Sequence, residues 1–223
     1  MASGKPLIAL NLKAYEESCG EKGIKLCEIA TEVSMLTGVR IIACPDATLL
    51  RAAAEGGADI FAQSVDGAPP GAHTGSLTAL MLKEAGAHGS LINHSEHRIT
   101  PDEIKSAIEN LNAAGLESML CSKDLQETVQ LSIFKPTYIA IEPPELISSG
   151  ISVSSARPEL VSGAVQAVRQ YAPSVRVVCG AGITTPADVK KAIELGAEGV
   201  LLASAYVKSK DPKALLEEMA RQL

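Results

Sequence analysis

Three stretches of the chain carry side chains that could move a proton or hold a charge. In Tyr138-Ile139-Ala140-Ile141-Glu142-Pro143-Pro144 an apolar run ends in a carboxylate, and two prolines stiffen the backbone behind it. Ser148-Ser149-Gly150 follows as a softer joint. A carboxylate at the mouth of a buried strand is the pattern of a catalytic residue; the plain alternative is an exposed acid on a surface loop. The second stretch is Leu91-Ile92-Asn93-His94-Ser95-Glu96-His97-Arg98, a dense polar cluster directly after an apolar run. His94 there could donate a proton or a hydrogen bond, and Glu96 could orient a neighbouring cation. The third is Asn11-Leu12-Lys13, where a strand would turn Asn11 and Lys13 to one side and Leu12 to the other. A lysine so placed can clamp an anion or form a Schiff base.

A metal site is the competing use of these residues, and it is weakly supported. His73 and His88 fall in a loop and near a helix end, and no HxxxH, HxH or CxxC spacing occurs. An anion site has better support. Cys179-Gly180-Ala181-Gly182-Ile183 and Leu201-Leu202-Ala203-Ser204-Ala205 place small residues after apolar runs, where backbone N–H groups can face a phosphate and a short helix beginning near Ser204 can add its positive end. The GxG is no dinucleotide fingerprint, because no GxGxxG follows. The Gly- and Pro-rich segment 63–76 is long for a loop in a compact domain, which suits a lid or an arm that docks on a second subunit.

The elements that must position these groups follow from hydrophobic patterning. Strand-like runs occur at Leu7–Lys13, Val39–Cys44, Asp59–Ser64, Gly89–Asn93, Glu117–Cys121, Thr137–Glu142, Val175–Gly180 and Gly199–Ala203. Helix-like stretches separate them, opened by Thr100-Pro101-Asp102-Glu103, Thr185-Pro186-Ala187-Asp188 and Asp211-Pro212 and often closed by glycine. Such alternation without a linker predicts one closed (βα)₈ barrel over residues 1–223, with a doubly wound open sheet as runner-up. In either fold, chemistry belongs at the C-terminal strand ends.

Composition agrees: Trp is absent and Phe occurs twice, so Ala, Val, Ile and Leu must form the core. The formal charge of −6 argues against nucleic acid or an anionic membrane surface as partner. The five cysteines lack paired spacing and read as small hydrophobes in a reducing compartment. No segment has the apolar length of a membrane span, and Met1–Pro6 has no apolar leader core, which points to the cytoplasm.

Taken in order, Asn11-x-Lys13, Asn93-His94-Ser95-Glu96, Glu142-Pro143 and the Gly-Ala-Gly turn sit at the ends of expected strands one, four, six and seven. In that arrangement the chain resembles the triosephosphate isomerase family over essentially its whole length. The Glu142–Ile147 loop and Leu202-Ala203-Ser204-Ala205 resemble its archaeal branch. The resemblance implies cofactor-free, metal-free interconversion of dihydroxyacetone phosphate and D-glyceraldehyde 3-phosphate, in glycolysis and gluconeogenesis. Glu142 would be the base, His94 the neutral electrophile and proton shuttle, and Lys13 with Asn11 the substrate-binding, charge-stabilising pair. Glu96 would orient the Lys13–His94 neighbourhood, and phosphate would lie near Ile147, Ser148, Gly182, Ala203 and Ser204. The chain departs from the commoner family pattern at Glu145 (usually aromatic), Ser148 (glycine), Gly182 (serine) and Ala203-Ser204 (a glycine pair). Thr74 matches a threonine that the family places near the neighbouring subunit's site. A homodimer through the 64–76 loop is therefore implied, paired into a homotetramer in the archaeal branch. The rival readings are another phosphate-binding barrel, such as a sugar-phosphate epimerase, and a non-catalytic barrel that only binds a phosphorylated metabolite.

Overall fold

The structure is a computed structural model that describes residues 6–143, 146 and 152–223. Its strands are β1 (Leu7–Asn11), β2 (Arg40–Cys44), β3 (Asp59–Ala62), β4 (Gly89–Ile92), β5 (Glu117–Ser122), β6 (Tyr138–Ile141), β7 (Arg176–Cys179) and β8 (Gly199–Leu202). All pair in parallel with their neighbours in chain order, and β8 closes on β1 with Leu7 opposite Gly199 and Leu10 opposite Leu202. This is the expected closed barrel rather than the open sheet.

The helices α1 (Glu21–Thr37), α2 (Leu50–Glu55), α3 (Ala79–Glu84), α4 (Pro101–Ala114), α5 (Leu125–Ser132), α6 (Val153–Ala156), α7 (Pro158–Tyr171), α8 (Pro186–Glu194), α9 (Ser204–Val207) and α10 (Pro212–Ala220) surround the barrel. Their boundaries follow the local chemistry read above. Thr100 and Thr185 close full capping boxes with Glu103 and Asp188, and Asp211 caps α10. Gly38 and Gly115 end α1 and α4 in the left-handed conformation that a side chain disfavours. The short α9 begins at Ser204 as expected, whereas the one-turn α6, capped by Ser152, has no counterpart among the expected helices.

Alternation along the strands divides the core in two. Leu7, Ala9, Ile42, Phe61, Leu91, Met119, Tyr138, Ala140, Val178 and Leu201 fill the inside of the barrel. Ile8, Leu10, Ile41, Ile60, Ile92, Ile139, Ile141, Val177 and Val200 face outward into the helix layer. Cys27, Cys44, Cys121 and Cys179 are buried as small apolar groups, and Cys19 is exposed. No helix among the described residues is long and apolar enough to cross a membrane.

Six strands stop one or two residues earlier at the C-terminal mouth than patterning predicts, whereas β2 ends at Cys44 as expected and β5 runs one residue further, to Ser122. Lys13 and Asn93 have φ of 51° and 58°, left-handed values that cannot continue a strand. Asn11 and Lys13 nevertheless both reach the mouth. The reason is a turn rather than strand alternation: the Asn11 Oδ1 accepts the Lys13 N–H at 3.0 Å.

Candidate active site

The two-residue period of the inner layer carries functional side chains to the top of the barrel. Ala9 faces inward, so Asn11 does; Ala140 faces inward, so Glu142 does, and the two are 5% and 2% exposed. Val178 likewise places Gly180 inward. There the missing side chain makes room for the carboxylate, since a Cβ on Gly180 would stand 2.7 Å from the Glu142 Cγ and 3.2 Å from the Ile141 carbonyl.

Asn11, Lys13, His94, Glu142, Gly182, Ala203 and Ser204 line one cleft open to solvent. Lys13 Nζ donates to Glu96 Oε1 at 2.8 Å, with the lysine side chain 11% exposed. The Glu96 backbone N–H donates to His94 Nδ1 at 3.2 Å. An Nδ1 that accepts leaves the proton of the neutral ring on Nε2, and Nε2 stands 3.6 Å from Glu142 Oε1. Of the expected site residues, Ile147 and Ser148 lie outside the described residues, as does Glu145.

Burial sets the protonation states. It pushes the Glu142 carboxyl up to about 7, against the opposing pull of the Cys121 thiol, of Arg98 and Lys13, and of the Ser95 N–H. Burial, with the charge on Lys13, lowers His94 to about 4, so the imidazole is neutral at pH 7. Glu142 Oε2 and Ser95 Oγ are the buried side-chain oxygens without a hydrogen-bond partner among the described residues. A buried carboxylate near neutrality beside a neutral imidazole and a fixed ammonium can take a proton from carbon and steady the charge left behind. No group of three or more potential metal ligands occurs among the described residues.

Two positions carry no functional signal of their own in the sequence. Gly180 ends an expected strand and opens the Gly-Ala-Gly turn, and its close approach to Glu142 shows only in three dimensions. Gln63 belongs both to the expected strand Asp59–Ser64 and to the long 63–76 segment. Phe61 faces inward two residues earlier, so the same period could have brought Gln63 to the mouth.

A closed barrel with an acid–base cluster and small-residue turns at its C-terminal mouth is the architecture of a (βα)₈-barrel enzyme. The family model described as "Triosephosphate isomerase" matches residues 6–220. The chain is 44% identical over 220 residues to the triosephosphate isomerase of Methanothermus fervidus, covering 98% of this chain and 99% of that protein. It is 42% identical over 216 residues to that of Methanocaldococcus jannaschii, covering 96% and 99%. The crystal structure of triosephosphate isomerase from Bartonella henselae shares the fold with a TM-score of 0.74 at 24% identity, over 91% of this chain and 94% of that one. The chain belongs to the triosephosphate isomerase family.

Proposed function

We propose that this protein interconverts dihydroxyacetone phosphate and D-glyceraldehyde 3-phosphate, with Glu142 as the base and with neither metal nor cofactor. The carrying observation is the joint placement of a buried Glu142 with raised proton affinity and the neutral His94 ring 3.6 Å away. Glu142 removes the proton from the carbon next to the carbonyl, and the electron pair moves onto the carbonyl oxygen. His94 donates to that oxygen through Nε2–H and relays the hydroxyl proton, so the enediolate closes to the isomeric carbonyl as Glu142 returns its proton to the neighbouring carbon. Lys13 and Asn11 hold the substrate and offset the developing negative charge, and Glu96 orients Lys13. The phosphate lies against Gly182, Ala203 and Ser204, with Ile147 and Ser148 completing its site.

The decisive assay follows dihydroxyacetone phosphate formation from D-glyceraldehyde 3-phosphate with a chelator present. Rapid turnover is expected. Absence of turnover would leave a barrel that binds phosphate for another purpose, and turnover abolished by chelator would overturn the metal-free mechanism.

The same reading places the enzyme in the cytoplasm, in glycolysis and gluconeogenesis, as a single barrel domain over residues 1–223 with no nucleic-acid or membrane partner. It also makes the 64–76 loop the contact between subunits of a homodimer, paired into a homotetramer. The loop is tied at its neck, where Asp66 and Leu77 exchange hydrogen bonds and Asn110 Nδ2 donates to the Gly67 carbonyl at 2.9 Å. Beyond the neck, residues 69–75 including Thr74 stand exposed, beside the exposed Leu80 and Met81 of α3. Sedimentation is expected to give an assembly of two or four chains; a stable, active monomer would overturn that part.

A further inference from the structure

Lys13 pays for its place at the cleft with backbone strain, at a φ of 51°. Such a conformation persists only when neighbours hold it. On one side of the residue the hold is the Lys13 N–H bond to Asn11 Oδ1. On the other side it is Gln63, whose Nε2 donates to the Lys13 carbonyl at 2.9 Å and to the Cys44 carbonyl at 3.0 Å. An amide nitrogen has two hydrogens, so both are spent joining the turn after β1 to the end of β2. The Cys44 carbonyl also accepts the Leu12 N–H at 3.0 Å, which makes it the common anchor of this turn.

We infer that Gln63 is a positioning residue for the isomerase reaction, holding the Lys13 backbone in the left-handed turn that aims its ammonium into the cleft. The inference rests on the role given to Lys13 above. Gln63 is not among the residues lining the substrate cleft; it borders a neighbouring cavity with Asp66, Asn93 and His97. Its influence on substrate therefore runs through Lys13. It also stands at the root of the 64–76 loop, so one residue joins the segment read as the subunit contact, through its backbone, to the substrate-binding lysine, through its side-chain amide.

The test is a double-mutant cycle on the full chain, read as kcat, KM and melting temperature. Gln63→Met keeps the length of the side chain and removes both donors. The expected result is a folded protein whose kcat/KM falls roughly 100-fold, the scale set by an ångström of misplacement, with KM rising as kcat drops. In a Lys13→Ala background, the same substitution should change kcat/KM by no more than about twofold, because its effect requires the lysine. Gln63→Glu, ionised and unable to donate, should reproduce the loss and carries the test if the Met variant does not fold. A folded Gln63→Met with near wild-type kcat/KM would overturn the inference, as would an equal fractional loss in the Lys13→Ala background. Failure of both Gln63 variants to fold would also overturn it, making Gln63 a stability residue. If Lys13→Ala alone left kcat/KM intact, the role of Lys13 itself would fall, a result separable from the others.

Discussion

The two ends of the barrel treat charge in opposite ways. At the N-terminal end, polar groups answer one another around the rim. Arg40 donates to Asp59 at 2.7 Å, to Glu117 at 2.5 Å and to the Tyr138 hydroxyl at 2.9 Å. Arg176 donates to Glu198 at 3.1 Å and to the same hydroxyl at 3.2 Å, with its guanidinium 5.1 Å above the Tyr138 ring. Burial alone would lower the proton affinity of Arg40, but its bonds to Glu117 and Asp59 more than reverse that. At the C-terminal end, Glu142 is more deeply buried, yet Oε2 has no hydrogen-bond partner among the described residues. One end completes its hydrogen bonds and closes the barrel floor; the other leaves a carboxylate short of partners, which is what a base needs. Stability and chemistry are thus assigned to opposite mouths of one sheet.

Substitutions at the two ends should separate these roles. The largest effect belongs to Glu142→Gln, which should lower kcat by roughly 10³-fold or more with little change in KM, because the phosphate grip stays while the proton acceptor is lost. Steady-state kinetics in the coupled assay checks this, and a kcat within tenfold of wild type would remove Glu142 from the role of base. Next is Gly180→Ala. Its methyl would meet the Glu142 side chain, so kcat should fall about 100-fold with the fold intact by circular dichroism. An unchanged kcat would show that the carboxylate has freedom this packing denies it.

The pH dependence is smaller. Because Glu142 titrates at about 7 in the folded protein and must be ionised to accept a proton, kcat/KM should fall about tenfold per unit on the acid side of that value. His94, held down to about 4, should add no limb near neutrality. A profile flat from pH 8 to 5 would contradict the assignment of Glu142 as a base that titrates near 7. The smallest effect on activity belongs to the other end: Arg40→Met should leave kcat/KM within about twofold. It should still destabilise the fold by about 2 kcal/mol, since Asp59 and Glu117 lose their partner while their partial exposure softens the loss. Thermal melting against the activity of the surviving folded protein measures that separation.

The barrel was legible because parallel strands buried on both sides read as continuous apolar runs, and because Thr100, Thr185 and Asp211 mark helix starts with side chains that act locally. Glu142 was legible for the same reason, as a charge at the end of such a run. Lys13 reached the expected place by an unexpected route, since the turn depends on the Asn11 side chain rather than on strand alternation. The one-turn α6 was not legible: four residues carry no period. Nor was the floor network, in which Arg40 meets Glu117 across 77 positions of sequence, a pairing that barrel closure creates and no local rule announces.

The most direct test of this division of labour is the melting temperature of Glu142→Gln against wild type, measured at pH 8 and at pH 5. Glu142 holds its proton up to about 7 in the folded chain, against an ordinary value of 4.5. Between those values the folded state binds the proton that the unfolded state has released, so stability falls as pH rises, and the full cost is present above the folded value. That cost is on the order of 3 kcal/mol, several degrees for a chain of this size. The account predicts that the inactive variant melts above wild type at pH 8 and that the gap narrows by pH 5. A variant that melts below wild type at pH 8 would contradict it, because the carboxylate would then be supporting the fold instead of being held against it.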